Sequence, residues 1–168
     1  VFMASRLVEK RGVQTTQTKQ KGYDAYAKIA KSDIEMRGYL WEPGLDQDSV
    51  PVIALVHIDS IDGGRNYSPI YERYVLSETY GKLTVLEVYK GDVRSGQQLS
   101  YSRSGGIITK EMFQAALDIY QKDDQYYLHG SPPAAKKYIH EKVVDDIDVE
   151  VGKDYLAFMI PASSKDGK

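Results

Sequence analysis

The sequence predicts a mainly β fold with helical additions, and three observations carry that prediction. Leu83–Tyr89 is a run of β-branched, aliphatic and aromatic residues that suits a pleated, half-buried surface. Leu99, Tyr101 and Arg103 alternate with Gln98, Ser100 and Ser102, a period-two signal with one wet face. Between the two lies Gly91-Asp92-Val93-Arg94-Ser95-Gly96. Its glycines tolerate positive φ and Asp92 bonds its own backbone, so the simplest reading is an antiparallel hairpin. In the first of these runs Leu83, Val85 and Tyr89 share one parity and Thr84, Leu86 and Val88 the other. A strand apolar on both faces is either central or switches faces at a bulge, and Gly81 is a candidate for that bulge or for a bend.

From the start of the chain, residues 1–22 read as a polar, lysine-rich, flexible segment in which Val1–Lys10 forms either a short helix or a frayed end. Tyr23–Met36 reads as an N-terminal helix, with Tyr23, Tyr26, Ala27, Ala30 and Ile34 on one stripe. Trp41-Glu42-Pro43-Gly44 is a turn signal, and Trp41 is either a ligand platform or a cover for the end of the sheet. Val52–Ser60 is the next strand, with Pro51 at its start where no ladder donor is needed. Ile61–Ser77 contains Gly63-Gly64, Asn66, Pro69 and three tyrosines and reads as a long loop, a class that is often functional or mobile. Tyr67, Tyr71 and Tyr74, with Arg65 in the same stretch, are the candidate binding residues. Either they line a groove, or Tyr71 and Tyr74 share a helical turn and pack down.

Gly105-Gly106 ends the second hairpin strand, and Thr109–Lys122 then reads as a helix capped by Thr109, with Phe113, Ala116, Leu117 and Tyr120 buried. A further helix is expected from Ser131-Pro132-Pro133 through Val143, so residues 109–143 form a helical insertion between strands 3 and 4. Ile147, Val149 and Val151 alternate with acidic residues and supply a candidate fifth strand, Asp146–Val151. Gly152-Lys153-Asp154 turns the chain, Tyr155–Ile160 is apolar throughout, and 162–168 is a polar tail. One domain over residues 23–161 is the expectation from a length of 168 residues.

Taken in order and spacing, Val52–Ser60, Tyr80–Lys90 running into Gly91-Asp92 and a polar turn, Leu99–Arg103, Gly105-Gly106 and Val151-Gly152-Lys153-Asp154-Tyr155-Leu156-Ala157-Phe158 resemble a group of uncharacterised secreted or surface-attached bacterial proteins. Those proteins are similar to OB-fold barrels of the tissue-metalloprotease-inhibitor and netrin-module (TIMP-like) type. The resemblance spans roughly the last two thirds of the chain and implies a five-stranded, antiparallel, OB-like barrel. It also implies an extracellular or surface-attached protein of a Gram-positive bacterium, with an export signal or lipid anchor outside this sequence. Members of the group continue beyond the Tyr-Leu-x-Phe strand, so either a further segment lies past the tail or another part of the chain completes the sheet. The inhibitors chelate zinc through an N-terminal cysteine; this chain has no cysteine, and that activity does not carry over.

Composition narrows the chemistry further. A formal net charge of −2 disfavours a duplex nucleic-acid binder. Without cysteine there are no disulfides, thiolate nucleophiles or zinc–thiolate sites. No apolar run approaches the ~20 residues of a membrane helix. His57, His129 and His140 have no metal-ligand spacing, and no nucleotide loop or nucleophile elbow is present. Asp146, Asp148, Glu150 and Asp154 suggest calcium, but the EF-hand positions for glycine and glutamate hold Val151 and Ala157, so a solvated acidic face is the better account. No metal or other cofactor is expected. The leading expectation is a non-enzymatic, extracytoplasmic binding or structural module with a protein or glycan partner. The alternatives are a single-stranded nucleic-acid or oligosaccharide binder using an aromatic OB face, and a hydrolase built on Asp or Glu with His57.

Overall fold

The computed structural model describes residues 2–9, 22–39, 48–122 and 134–162; side chains of 2–9 and 120–122 are not part of that description. Its elements are β1 (Phe2–Glu9), two short 3-10 turns (Ala25–Lys28 and Lys31–Asp33), β2 (Ile34–Tyr39), β3 (Val52–Ser68), β4 (Arg73–Lys90), β5 (Gln98–Ser104), β6 (Gly106–Thr109), α1 (Lys110–Lys122), β7 (Tyr138–Val143) and β8 (Asp154–Pro161). The fold is mainly β, with two sheets and one α-helix among the described residues.

The larger sheet has the strand order β1-β5-β4-β3-β8. The hairpin read from the turn chemistry is present, with β4 and β5 paired antiparallel from Thr79↔Arg103 to Thr84↔Gln98. β3 lies between β4 and β8 and is antiparallel to both. Alternate residues of these strands point inward: Val52, Ala54, Val56 and Ile58 from β3, Leu83 and Val85 from β4, Leu99 and Tyr101 from β5, and Tyr155, Ala157 and Met159 from β8. Removing these side chains from water is the main driving force for the sheet, at about 1.5–3 kcal/mol per large apolar residue.

β1 corrects the expectation of a flexible or helical start. Phe2–Glu9 pairs antiparallel with β8 from Phe2↔Pro161 to Glu9↔Tyr155, with a bulge between Ala4 and Arg6. It also meets β5 over a short parallel seam, Phe2↔Tyr101 and Met3↔Ser102. Two sheet edges with unsatisfied backbone groups outweigh local preference in a segment with no strong caps. Asp146–Val151, the candidate fifth strand, joins neither sheet. Ile147, Val149 and Val151 pack against the main core as an extended segment, and the Glu150 amide donates to the Tyr155 hydroxyl at 2.9 Å instead of to a ladder.

The smaller sheet has the order β2-β7-β6. It replaces two expected helices. Tyr23–Met36 folds into the 3-10 turns and the start of β2, which runs parallel to β7 from Ile34↔Tyr138 to Tyr39↔Val143. Tyr138–Val143, expected to be helical, is β7, and the Ser131–Pro133 start of that expected helix lies outside the described residues. β6 separates Gly105 from the helix, so the glycine pair joins two strands, with Gly105 at φ +86°. α1 forms as expected, and the Thr109 hydroxyl accepts from the Met112 amide at 3.2 Å. Phe113 and Leu117 of α1 pack with Ile108, Ala134 and Ile139 as a second core.

Candidate functional site

The site starts from a misread loop. Ile61–Ser77 is not irregular: it is the outer half of the β3–β4 hairpin, closed by a turn at residues 69–72. Strands of 17 and 18 residues must bend to stay on the molecule, and the β3–β4 ladder shifts register at five places, the last of them between Arg65 and Tyr67. One face of this extension is fixed to the smaller sheet and to α1. Gly64 lies so close to the Ile107 carbonyl that a Cβ would stand 2.0 Å from it. The buried Asn66 donates to the Met112 carbonyl at 2.8 Å, and the Ser77 amide donates to Glu141 Oε2 at 2.7 Å.

The opposite face carries a row of alternating aromatic and charged groups. The Arg65 guanidinium lies 5.0 Å from the centroid of the Tyr80 ring, and its Nε donates to Glu78 Oε2 at 3.1 Å. Glu78 is buried and Arg65 only partly so. One step outward, Tyr67 and Tyr74 are register partners whose rings meet edge to face, centroids 5.3 Å apart. At the turn the Arg73 guanidinium stands 5.6 Å from the Tyr71 ring centroid. Glu72, at φ +50°, holds the left-handed turn conformation. Tyr67 and Tyr71 are each 44% exposed and Leu76 is 37% exposed. This is a partly exposed surface rich in tyrosine and arginine, the composition of interface hot spots, and its charges nearly cancel.

The structure therefore gathers Arg65, Tyr67, Tyr71 and Tyr74 on one hairpin end, and adds Arg73, Glu78 and Tyr80, which the sequence reading did not single out. The signal was the shared parity of Tyr74, Glu78 and Tyr80, which runs across the end of the presumed loop. Trp41 lies outside the described residues.

A second polar region lies where the two sheets meet. A cleft of about 110 Å³ is lined by Tyr26, Thr79, Arg103, His140, Lys142 and Asp146, among others. Arg103 forms an ion pair with Asp146 and donates to the Ile147 carbonyl at 3.0 Å. Lys142 pairs with Asp148 at 3.0 Å. The Tyr26 hydroxyl accepts from the Ile107 amide at 3.1 Å and lies 3.0 Å from the Thr79 hydroxyl. Burial pushes the Tyr39 hydroxyl pKa up to about 12, so it stays protonated.

Desolvation holds the His140 pKa below its ordinary value of 6.5; Asp148 opposes this, while Lys142 and Arg103 reinforce it. An unfolded chain thus takes up this proton before the folded one does. His140 contributes stability that is fully present above about pH 6.5 and is lost as pH falls toward the folded value. The melting temperature of the wild-type protein is expected to fall more steeply below pH 6.5 than that of His140→Gln. Parallel curves for the two proteins would refute this assignment.

His57 sits on the outer face of β3, with Nδ1 2.6 Å from Asp154 Oδ1. Its other register partner, Thr84, donates from its hydroxyl to Asp59 Oδ2 at 2.7 Å. Among the described residues no group of three or more His, Cys, Asp or Glu side chains is placed to hold a metal ion, and no helix is long and apolar enough to cross a membrane.

Comparison with family models, curated proteins and solved structures found no match.

Proposed function

We propose that the chain is a non-enzymatic, extracytoplasmic binding module with an OB-like, TIMP-like larger sheet, and that it engages a protein partner through the outer face of the β3–β4 hairpin. The observation that carries this is the exposed Tyr67–Tyr71 end of a hairpin whose other face is anchored by Gly64, Asn66 and Ser77. A rigid aromatic and arginine surface loses little entropy on binding, which favours affinity. The balance of Arg65 and Arg73 against Glu72 and Glu78 favours a protein surface over a polyanion. The OB-like reading draws support from strand order. β3, β4 and β5 form a meander, α1 follows, and β8 returns beside β3. In OB folds the loop between the first two strands contacts ligand, and its counterpart here is the turn at 69–72. The extracytoplasmic setting rests on the sequence resemblance.

The double variant Tyr67→Ala/Tyr71→Ala is expected to fold with stability within about 1 kcal/mol of wild type, because neither ring is buried. A photo-crosslinking residue at position 71 is expected to give discrete protein adducts in the native host. The same residue at Tyr89, 53% exposed on the larger sheet, is expected to give none. Equal labelling from both positions, or adducts that persist with Tyr67→Ala, would overturn the assignment.

A further inference from the structure

We propose that β2 is a pairing edge, and that it joins β2 of a second copy of this chain, antiparallel and across a two-fold axis, to make one continuous sheet from the two smaller sheets. The inference is independent of what the hairpin end engages. It starts from the direction of the β2 backbone. β2 stands at the end of the order β2-β7-β6. The Tyr39 carbonyl accepts from the Val144 amide at 2.9 Å, next to its register partner Val143. In a parallel pair every second residue bonds to the neighbouring strand, so Glu35, Arg37 and Tyr39 turn their backbone groups toward β7. Ile34, Met36 and Gly38 turn theirs the other way. The Ile34 amide is held by the Lys31 carbonyl. The Ile34 carbonyl and both backbone groups of Met36 and of Gly38 meet no strand among the described residues.

This edge is open to solvent. Met36 is 60% exposed, and Gly38, which has only backbone to expose, is exposed too. The opposite edge of the same sheet is covered. A Cβ on Gly106 of β6 would stand 2.8 Å from the Glu78 backbone, and Ile107 lies against Gly64. β2 carries no proline, and its ladder with β7 runs without a bulge. An edge without such guards recruits a further strand.

The sequence of β2 selects its own copy as that strand. Antiparallel pairing sets outward-bonding residues opposite one another, so a two-fold axis must pass through a residue and not between two. With the axis at Met36, the two Met36 residues exchange amide and carbonyl, and each Gly38 amide donates to the Ile34 carbonyl of the second copy. On the face that carries Phe113, Glu35 then stands opposite Arg37 of the second copy, and Arg37 opposite its Glu35. Within one chain these two groups already form an ion pair at 2.6 Å, so the pairing alternates their charges around a square. Moving the axis by one residue sets Glu35 against Glu35 or Arg37 against Arg37, and like charges directly opposite are destabilising. On the other face the Met36 side chains meet each other. Val144, 45% exposed, lies against Gly38 on that face, 3.3 Å from where a Cβ would stand, and widens the apolar contact. An edge of six residues is shorter than the contact of a permanent dimer, so the association is reversible.

Sedimentation velocity of the wild-type protein over roughly 5–500 µM is expected to show a dimer whose share rises with concentration. Met36→Lys sets two ammonium groups against each other on the axis and is expected to weaken the dimer at least about tenfold. Its melting temperature in dilute solution is expected to match that of the wild type, since the side chain it replaces is exposed. The chain has no cysteine, so Met36→Cys reports the register directly. Opposed residues of a hydrogen-bonded antiparallel pair have Cα atoms about 5.5 Å apart, within disulfide reach. On oxidation Met36→Cys is expected to form a covalent dimer at least about tenfold faster than Tyr89→Cys, whose site on the larger sheet is 53% exposed. A wild-type protein that stays monomeric throughout would overturn the proposal, and would do so even if the edge captured a strand from another protein. A dimer that Met36→Lys leaves intact, or equal rates for the two cysteine variants, would overturn it as well.

Discussion

Gly81→Ala is expected to lower the stability of the protein by about 3 kcal/mol in chemical denaturation, with a melting temperature lower by roughly 6–12 °C. Gly81 is buried in β4 between two strands, paired with Ile61 on one side and Tyr101 on the other. A methyl group there would stand 2.0 Å from the Ser60 carbonyl oxygen and 2.9 Å from its carbon. Both atoms belong to backbone, so no side chain can swing aside. The same oxygen accepts from the Tyr101 hydroxyl at 3.3 Å, so a shift that relieves the clash also pulls on a buried hydrogen bond. Gly96→Ala is the matched control. Its φ of +81° makes alanine unfavourable, yet nothing lies within 4 Å of the added carbon, and about 1 kcal/mol is expected. Equal losses at the two positions would show that conformation, rather than close approach of β3 and β4, is what Gly81 provides.

Phe113→Ala is expected to cost about 4 kcal/mol, and to do so locally. Phe113 is 2% exposed, lies in the second core with Ile108, Leu117, Ala134 and Ile139, and has the Arg37 guanidinium 4.7 Å from its ring centroid. That cluster shares no buried residue with the main core. Hydrogen exchange should therefore accelerate in α1, β6 and β7 while the inner parts of β3, β4 and β8 keep their protection. Uniform acceleration through both sheets would mean that the Glu141–Ser77 and Gly64–Ile107 contacts fuse the two into one cooperative unit.

Elements whose signals are local were legible in the sequence. The β4–β5 turn announces itself through Gly91-Asp92 and Gly96, α1 through Thr109 and the spacing of Phe113 and Leu117, and β8 through an unbroken apolar run. Elements made by distant partners were not. Gly63-Gly64 and Asn66 read as loop residues, yet Gly64 is there to admit the Ile107 backbone and Asn66 to hold Met112. Tyr26 fits a helical stripe by spacing, but its hydroxyl reaches β6 and Thr79. Asp146–Val151 shows true alternation without becoming a strand, because alternate burial needs only a core to lie on, whereas a strand needs an open edge. For the hairpin end the sequence supplied Arg65, Tyr67, Tyr71 and Tyr74, but not the strand pairing that places them on one face.

The pairing of Phe2 with Pro161 has a consequence for biosynthesis. β1 leaves the ribosome well before its partner β8, with β2 to β7 between them. At about 5–20 residues per second, β1 waits roughly eight to thirty seconds for β8. The intervening β3–β4 and β4–β5 hairpins have time to settle first, so the β1–β8 ladder is the last part of the larger sheet to form.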